Sequence, residues 1–244
     1  MRILFIFFLL LFNLSAQAQR FRLTGEIKSL EEGSWVYLSY DVQGQRILDS
    51  TQVKAGVFQF SKKLKYPVYA YISESSYELY EGDNRFSFML EPAKFSIYSD
   101  SHIYASEVKN SKLNEEGQEL IRRILSFSFS MKRNSVIQEY PEYRRPGEKV
   151  ILLSKNVEER EKQESILRDS ICVEFAKAYP DSYQSAQVLA SVMSWNETNS
   201  AIYQRAKNVF DRCPRRWKRA PAIREIIERK MPRTVFVMGE LSFD

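Results

Sequence analysis

The residue types that most often bind metals or carry out catalysis are scarce in this sequence. Among 244 residues there is one histidine, His102, and there are two cysteines, Cys172 and Cys213. These counts exclude zinc sites with three histidines, iron–sulfur sites with four cysteines and any C-x-x-C redox motif. Neither common glycine-rich phosphate-binding motif occurs. The sequence therefore predicts no catalytic residue, no metal site and no cofactor.

His102 and a few carboxylates are the remaining candidates for acid–base chemistry. A Ser–His–Asp triad would have to use His102, but no G-x-S-x-G motif accompanies it, so we expect a structural or surface histidine. Paired carboxylates could hydrolyse glycosides, but acidic residues are ordinary near turns and we expect no such activity. The carboxylates concerned are Glu78, Glu81, Asp83 and Glu91.

The two cysteines leave two interpretations open. In secreted proteins an even cysteine count suggests a disulfide. A Cys172–Cys213 bond would stabilise the fold by roughly 4 kcal/mol, because it restricts the unfolded chain. The alternative is two separate thiols, with Cys172 packed as a small apolar residue.

The densest basic run surrounds a tryptophan near the C-terminal end. Its cations could bind phosphates or an acidic partner, with the indole as an apolar or cation–π contact. A solvated turn between helices is the interpretation we favour, because the formal net charge is only +5. The candidate partner-binding residues are Arg215, Arg216, Trp217, Lys218 and Arg219.

The N-terminal residues predict an export signal. Arg2 supplies a positive start, residues 3–12 are an apolar run, and Ala16-Gln17-Ala18 offers small residues for cleavage. The apolar run is shorter than the roughly 20 residues that cross a bilayer. We expect residues 1–18 to be a signal peptide and the mature protein to reach the periplasm or cell envelope without a transmembrane segment.

Residues 19–108 show the alternating period of β-strands. Runs of β-branched and aromatic residues are separated by turn residues, which predicts an antiparallel β-sandwich or open barrel. Gly25 interrupts the first run, as a bulge or a close backbone approach would. The many tyrosines of this half would also suit a binding surface.

Residues 109–234 show a helical period and predict a helical bundle. Leu167, Ile171 and Phe175 recur at i, i+4 and i+8, and residues 120, 121, 124 and 125 share another helical face. Asp181-Ser182 and Thr198 are predicted to cap two later helices. Residues 235–244 read as a short terminal strand or truncated linker, and the fold class predicted for the whole chain is α+β.

Groups of residues in both halves match the pattern of a bacterial family. With these residues the chain resembles the uncharacterised N-terminal β-domain and helical region of secreted thioredoxin-like thiol–disulfide oxidoreductases. The family's redox domain carries a C-x-x-C pair that this sequence lacks, so its catalytic residues have no positions here. The matching groups are Phe21-x-Leu23-x-Gly25-x-Ile27, Val36-Tyr37-Leu38, Asp49-Ser50-x-x-Val53-x-x-Gly56-x-Phe58-x-Phe60, Phe88-x-Leu90-Glu91-Pro92 and the helical segment 175–189.

The resemblance implies an exported, non-catalytic binding or docking protein, equivalent to the accessory half of such an oxidoreductase. Its partner would be a protein of the cell envelope or a second copy of the chain, and nucleic acid is not expected. Two alternatives remain. The chain could be a fragment or subunit of an oxidoreductase whose redox domain is encoded separately, or an envelope ligand-binding module that uses the aromatic β-half.

Overall fold

The computed structural model describes residues 20–77, 84–139, 141–147, 149–151 and 156–229. The chain divides into two compact units, with Ser111 as the last residue of the first unit and Lys112 as the first of the second. The first unit is built from strands and the second from helices, which confirms the α+β class. The predicted signal peptide, 1–18, and the terminal segment, 235–244, lie outside the described residues.

Two four-stranded sheets form the described part of the first unit. One has the strand order β4-β1-β7-β8 and the other the order β3-β2-β5-β6. The strands are β1 (Arg22–Ile27), β2 (Trp35–Val42), β3 (Gln45–Gln52), β4 (Phe58–Phe60), β5 (Val68–Ser73), β6 (Arg85–Leu90), β7 (Lys94–Ser99) and β8 (Glu107–Lys109).

One strand pairing differs from the predicted antiparallel arrangement. β1 and β7 run parallel, with Arg22 opposite Lys94 and Ile27 opposite Ser99. The other pairings between these strands are antiparallel. A parallel pair needs a long crossover connection, and here that connection contains the whole second sheet.

Both sheets contribute to one apolar core. Alternate residues of β1, β4 and β7 are buried, as the period of two predicts, whereas β2 and β6 each bury three consecutive residues. Leu23 of β1, Leu38 of β2 and Ile72 of β5 are completely buried in the same cluster. The two sheets therefore form a β-sandwich.

Gly25 is required by close packing rather than by a bulge. The register between β1 and β7 runs through Gly25 without interruption. On the other neighbouring strand, Gly25 lies opposite Phe58, and a Cβ atom at Gly25 would lie 1.9 Å from Cζ of the Phe58 ring. The close approach to Gly25 is therefore made by the Phe58 side chain and not by a backbone segment.

Six α-helices make up the described part of the second unit. α3 packs against α1, α2, α4 and α6 and is buried along most of its length, so it is the central helix. The helices are α1 (Lys112–Glu139), α2 (Val157–Ala178), α3 (Tyr183–Trp195), α4 (Ala201–Phe210), α5 (Arg215–Lys218) and α6 (Pro221–Arg229).

Local capping explains where two of these helices begin. Ser182 caps α3, since its side chain accepts a hydrogen bond from the Gln184 amide at 3.1 Å, as the sequence predicts. For α4 the predicted cap, Thr198, is wrong. Ser200 is the N-cap and accepts from the Tyr203 amide at 3.3 Å, while the Thr198 carbonyl accepts from the Gln204 side chain.

Candidate functional site

His102 lies exposed beside a short 3-10 turn, Ile103–Ala105, after β7. Its ring stacks on Tyr104 with 5.4 Å between centroids, and its carbonyl accepts a hydrogen bond from the Ser99 hydroxyl at 2.9 Å. These contacts tie the turn to the end of β7 and give His102 the surface role that the sequence predicts.

Of the four candidate carboxylates, only Glu91 falls among the described residues. Glu91 accepts a hydrogen bond from the Ser111 hydroxyl and so joins the end of β6 to the last residue of the first unit. Within the described ranges, no group of three or more His, Cys, Asp or Glu residues is placed to hold a metal ion.

The two cysteines are thiols in the structure, and no bond joins them. Cys172 packs against the apolar cluster of Leu120, Phe175 and Val188, which corresponds to the second of the two interpretations of the sequence. Cys213 is 3% exposed beyond the end of α4, with its Sγ 3.7 Å from the Val209 carbonyl. Burial raises the pKa of Cys213 to about 11, which disfavours the reactive thiolate.

The basic run forms α5 and its flanking turns, and Trp217 anchors it. The Trp217 indole N–H donates to the Asp181 carbonyl at 2.8 Å, and its ring meets the edge of Tyr183 at 5.5 Å between centroids. Lys218 donates to the Asp211 carbonyl at 2.8 Å. Two of the five candidate partner-binding residues therefore make structural contacts, whereas Arg215, Arg216 and Arg219 are exposed.

Aromatic residues of the β-half divide between core and surface. Tyr40 is buried in the sandwich core against Phe21. Tyr69 and Tyr71 lie on the opposite face of the same sheet, and the Arg85 guanidinium lies 4.6 Å from the Tyr71 centroid. The outward face of the second sheet is therefore partly aromatic.

An open groove lies in the helical unit. Its volume is about 830 Å³. α2 contributes Leu167, Ser170, Ile171 and Glu174, which recur at i, i+3, i+4 and i+7 and therefore share one helix face. α1 and residue 151 supply the rest of the lining, so the groove lies between the two longest helices.

α1 can line this groove because it is apolar on two sides. Leu120 and Ile124 pack into the cluster with Phe175. Leu125 and Phe129, at i and i+4, line the groove instead. Phe129 is 59% exposed and Ile151 is 42% exposed, which leaves much apolar surface in contact with water.

The charged residues at the edge of the groove already have partners. Glu119 holds Arg122 and Arg123, each at 2.8 Å, and Glu174 holds Lys177 at 2.7 Å. The hydrogen bond from Arg123 lowers the pKa of Glu119, and that from Lys177 lowers the pKa of Glu174, so both carboxylates stay ionised at neutral pH. The groove therefore offers an apolar floor, and each of the two carboxylates at its edge is already paired with two cations.

Sequence reasoning did not find this groove. The alternation Ser126-Phe127-Ser128-Phe129 resembles a strand pattern, although it lies within α1. The useful signal was the second apolar face, formed by Leu125 and Phe129. The predicted partner-binding residues, Arg215 to Arg219, are not among the residues that line it.

Comparison with known families identifies the β-half. Residues 21–116 match a family described as "Domain of unknown function (DUF4369)", and this match covers all eight described strands and the start of α1. The comparisons with curated proteins and with solved structures gave no match. The link to thioredoxin-like oxidoreductases stays a prediction.

Among the described residues, no helix combines the length and the apolar character needed to span a bilayer.

Proposed function

We propose that this protein is an exported, non-catalytic docking protein whose helical unit holds an apolar segment of a partner protein in the groove between α1 and α2. The observation that carries the proposal is the exposed Phe129 on an apolar floor. An apolar concavity of this size is the usual form of a binding site. The family resemblance supports the docking role, since the matching half of the oxidoreductases stands beside a redox domain.

The groove chemistry favours an uncharged occupant. Glu119 and Glu174 are neutralised by their own neighbours, so the groove has no unpaired charge from these residues to offer to a partner. Ser170 is also engaged, because its hydroxyl donates to the Ile166 carbonyl at 2.9 Å. Binding energy must come mainly from apolar burial, and covering one large side chain contributes about 1.5–3 kcal/mol.

The size of the groove sets the scale of the occupant. A volume of about 830 Å³ accommodates a few large side chains but not a folded domain. We therefore place one apolar segment of the partner in it, such as one face of an amphipathic helix. The partner belongs to the cell envelope, where the export signal would send this chain.

Site-specific photo-crosslinking tests this function in exporting cells. The full chain carries p-benzoylphenylalanine at position 129, and a control carries it at position 48, where Leu48 of β3 is 46% exposed. We expect a crosslink to one protein species, through an apolar segment, from position 129 only.

Three outcomes would contradict the proposal. Capture of the same proteins from positions 129 and 48 would show non-specific adhesion. Capture of lipid alone would make the groove an acyl-chain site. The absence of any adduct at position 129 would remove the docking role. If the captured protein carries a C-x-x-C pair, the chain is the docking subunit of a thiol–disulfide oxidoreductase.

A further inference from the structure

Five arginines lie exposed along one stretch of the helical unit, from the end of α4 to the first turn of α6. None of them has an ion pair within the part of the chain that the structure describes, in contrast to Arg122, Arg123 and Arg205. We call this set the arginine surface. Its members are Arg212, Arg215, Arg216, Arg219 and Arg224.

The backbone beneath the arginine surface is fixed by buried neighbours. Cys213 and Ala220, which flank α5, are 3% and 0% exposed. Trp217 is held by its hydrogen bond to Asp181 and by the Tyr183 ring. A partner would therefore meet arginines carried on an ordered backbone, and binding would lose little free energy in ordering that backbone.

A basic run after a helix usually stabilises the helix C-terminus, but here only one cation, Lys218, does so. Cations after a helix complement the partial negative charge at its C-terminus. Lys218 does this for α4, since its ammonium donates to the Asp211 carbonyl. Lys207 pairs with the Asp211 carboxylate at 2.6 Å, so that acid is also occupied. The arginines have no comparable structural task.

Arginine is better suited than lysine to bind carboxylate or phosphate groups through paired hydrogen bonds. The guanidinium is planar and binds a carboxylate through two parallel hydrogen bonds. The Arg216 guanidinium lies 4.3 Å from the Trp217 ring centroid, and this stacking restrains its orientation. Neighbouring guanidiniums repel one another, and an acidic partner would relieve that repulsion.

We propose that the arginine surface binds an acidic segment of a polypeptide partner, rich in Asp or Glu. None of its residues lines the groove between α1 and α2, so this second docking surface does not depend on the function proposed for the groove. A polypeptide is favoured over nucleic acid because the formal net charge of the whole chain is only +5 and the N-terminal residues predict export.

Fluorescence anisotropy with the full-length purified chain tests the proposal. The probe is a fluorescein-labelled peptide of alternating Glu and Gly, and a Gln/Gly peptide of equal length is the neutral comparison. The variant Arg215→Ser/Arg216→Ser removes two charges from the surface. The matched control is Arg22→Ser/Lys63→Ser, which removes two exposed charges from the β unit.

The acidic peptide should bind the wild type, and the neutral peptide should not. Arg215→Ser/Arg216→Ser should weaken binding roughly fivefold, since each exposed ion pair contributes a fraction of a kcal/mol to about 1 kcal/mol. The control variant should bind as the wild type does. Raising salt from about 50 to about 200 mM should weaken wild-type binding more than that of the double variant.

Either of two results would overturn the proposal. One is equal binding by the wild type and Arg215→Ser/Arg216→Ser, with circular dichroism showing that both are folded. The other is a competition result in which duplex DNA displaces the labelled peptide at lower concentrations than the unlabelled acidic peptide does. That result would assign the surface to nucleic acid. Arg215→Lys/Arg216→Lys separates charge from geometry, and we expect an intermediate affinity because the paired hydrogen bonds are lost.

Discussion

At Cys213, burial changes the chemistry of a thiol. Cysteine is a nucleophile only as the thiolate, and that form is disfavoured in an apolar site. The pKa of Cys213 is raised by burial to about 11, from an ordinary value of 9.0. The residue behaves as a small packed side chain, like Cys172 in the cluster around Phe175.

The raised pKa predicts a loss of stability in alkaline solution. The unfolded chain releases the Cys213 proton at a lower pH than the folded chain, so the contribution to stability is complete below about pH 9 and is lost as the pH rises towards 11. Between pH 8 and pH 10.5 this loss amounts to about 2 kcal/mol. Urea unfolding of the wild type and of Cys213→Ala at both pH values measures it.

The comparison between the two proteins separates Cys213 from other alkaline effects. Burial raises the pKa of Tyr183 to about 12, and this tyrosine is present in both proteins, so its effect cancels. Between the two pH values, the free energy of unfolding of Cys213→Ala should fall less than that of the wild type. An equal decrease in both proteins would show that Cys213 does not titrate in this way.

The basic run contains both side chains that anchor it and exposed arginines. Sequence reasoning grouped Arg215 to Arg219 as one candidate site but could not separate anchors from free side chains. The fold brings the Asp181 carbonyl to Trp217 and the Asp211 carbonyl to Lys218. These contacts cannot be read from the sequence. Arg224 belongs to the same surface, although the sequence run ends before it.

At the element scale, the pairing of β1 with β4 depends on Gly25 and Phe58. The Phe58 ring occupies the space that a side chain at position 25 would need. Phe58 is itself 1% exposed in the sandwich core and cannot move away freely. Gly25→Ala should therefore lower the free energy of unfolding by about 1–3 kcal/mol, the usual cost of overpacking.

A double-mutant cycle distinguishes this clash from a general effect of alanine. Chemical denaturation is followed for Gly25→Ala in the wild-type background and in a Phe58→Ala background. Once the ring is absent, Gly25→Ala should cost little or should stabilise, because alanine restricts the unfolded chain. The same cost in both backgrounds would contradict the proposed contact.

Periodicity predicted the elements better than their partners. The change from a period of two to a helical period correctly predicted strands followed by helices, and Pro221 begins the last described helix as expected. The parallel pairing of β1 with β7 could not be read in this way, since alternation shows which face of a strand is buried but not its neighbour. The prediction that Thr198 caps α4 was wrong because Ser200, two residues later, offers an equally good cap.

The groove was missed for a similar reason. A helix with one apolar face is expected to bury it, so Leu120 and Ile124 were enough to explain α1. The prediction that Leu125 shares a face with Leu120 and Ile124 was wrong, because Leu125 lines the groove with Phe129. Their exposure became visible only once α1 and α2 were placed side by side.

At the scale of the whole molecule, the chain combines a β-sandwich unit, which matches the DUF4369 family, with a helical unit, and each has a distinct core. The candidate binding surfaces supported by the strongest observations, the groove and the arginine surface, both belong to the helical unit. They differ in chemistry, because one is apolar with paired charges at its edge and the other is cationic. Binding at the two should therefore respond differently to temperature and to salt.

The most direct test of the docking function is calorimetric titration of the full chain with a synthetic peptide that reproduces the segment captured at position 129. Burial of apolar surface predicts a negative heat-capacity change. Phe129→Asp should raise Kd at least roughly tenfold, since it removes most of the transfer free energy of one large side chain. The control Leu48→Asp should bind as the wild type does. A heat-capacity change near zero, or a Kd that Phe129→Asp leaves unchanged, would contradict docking in the groove.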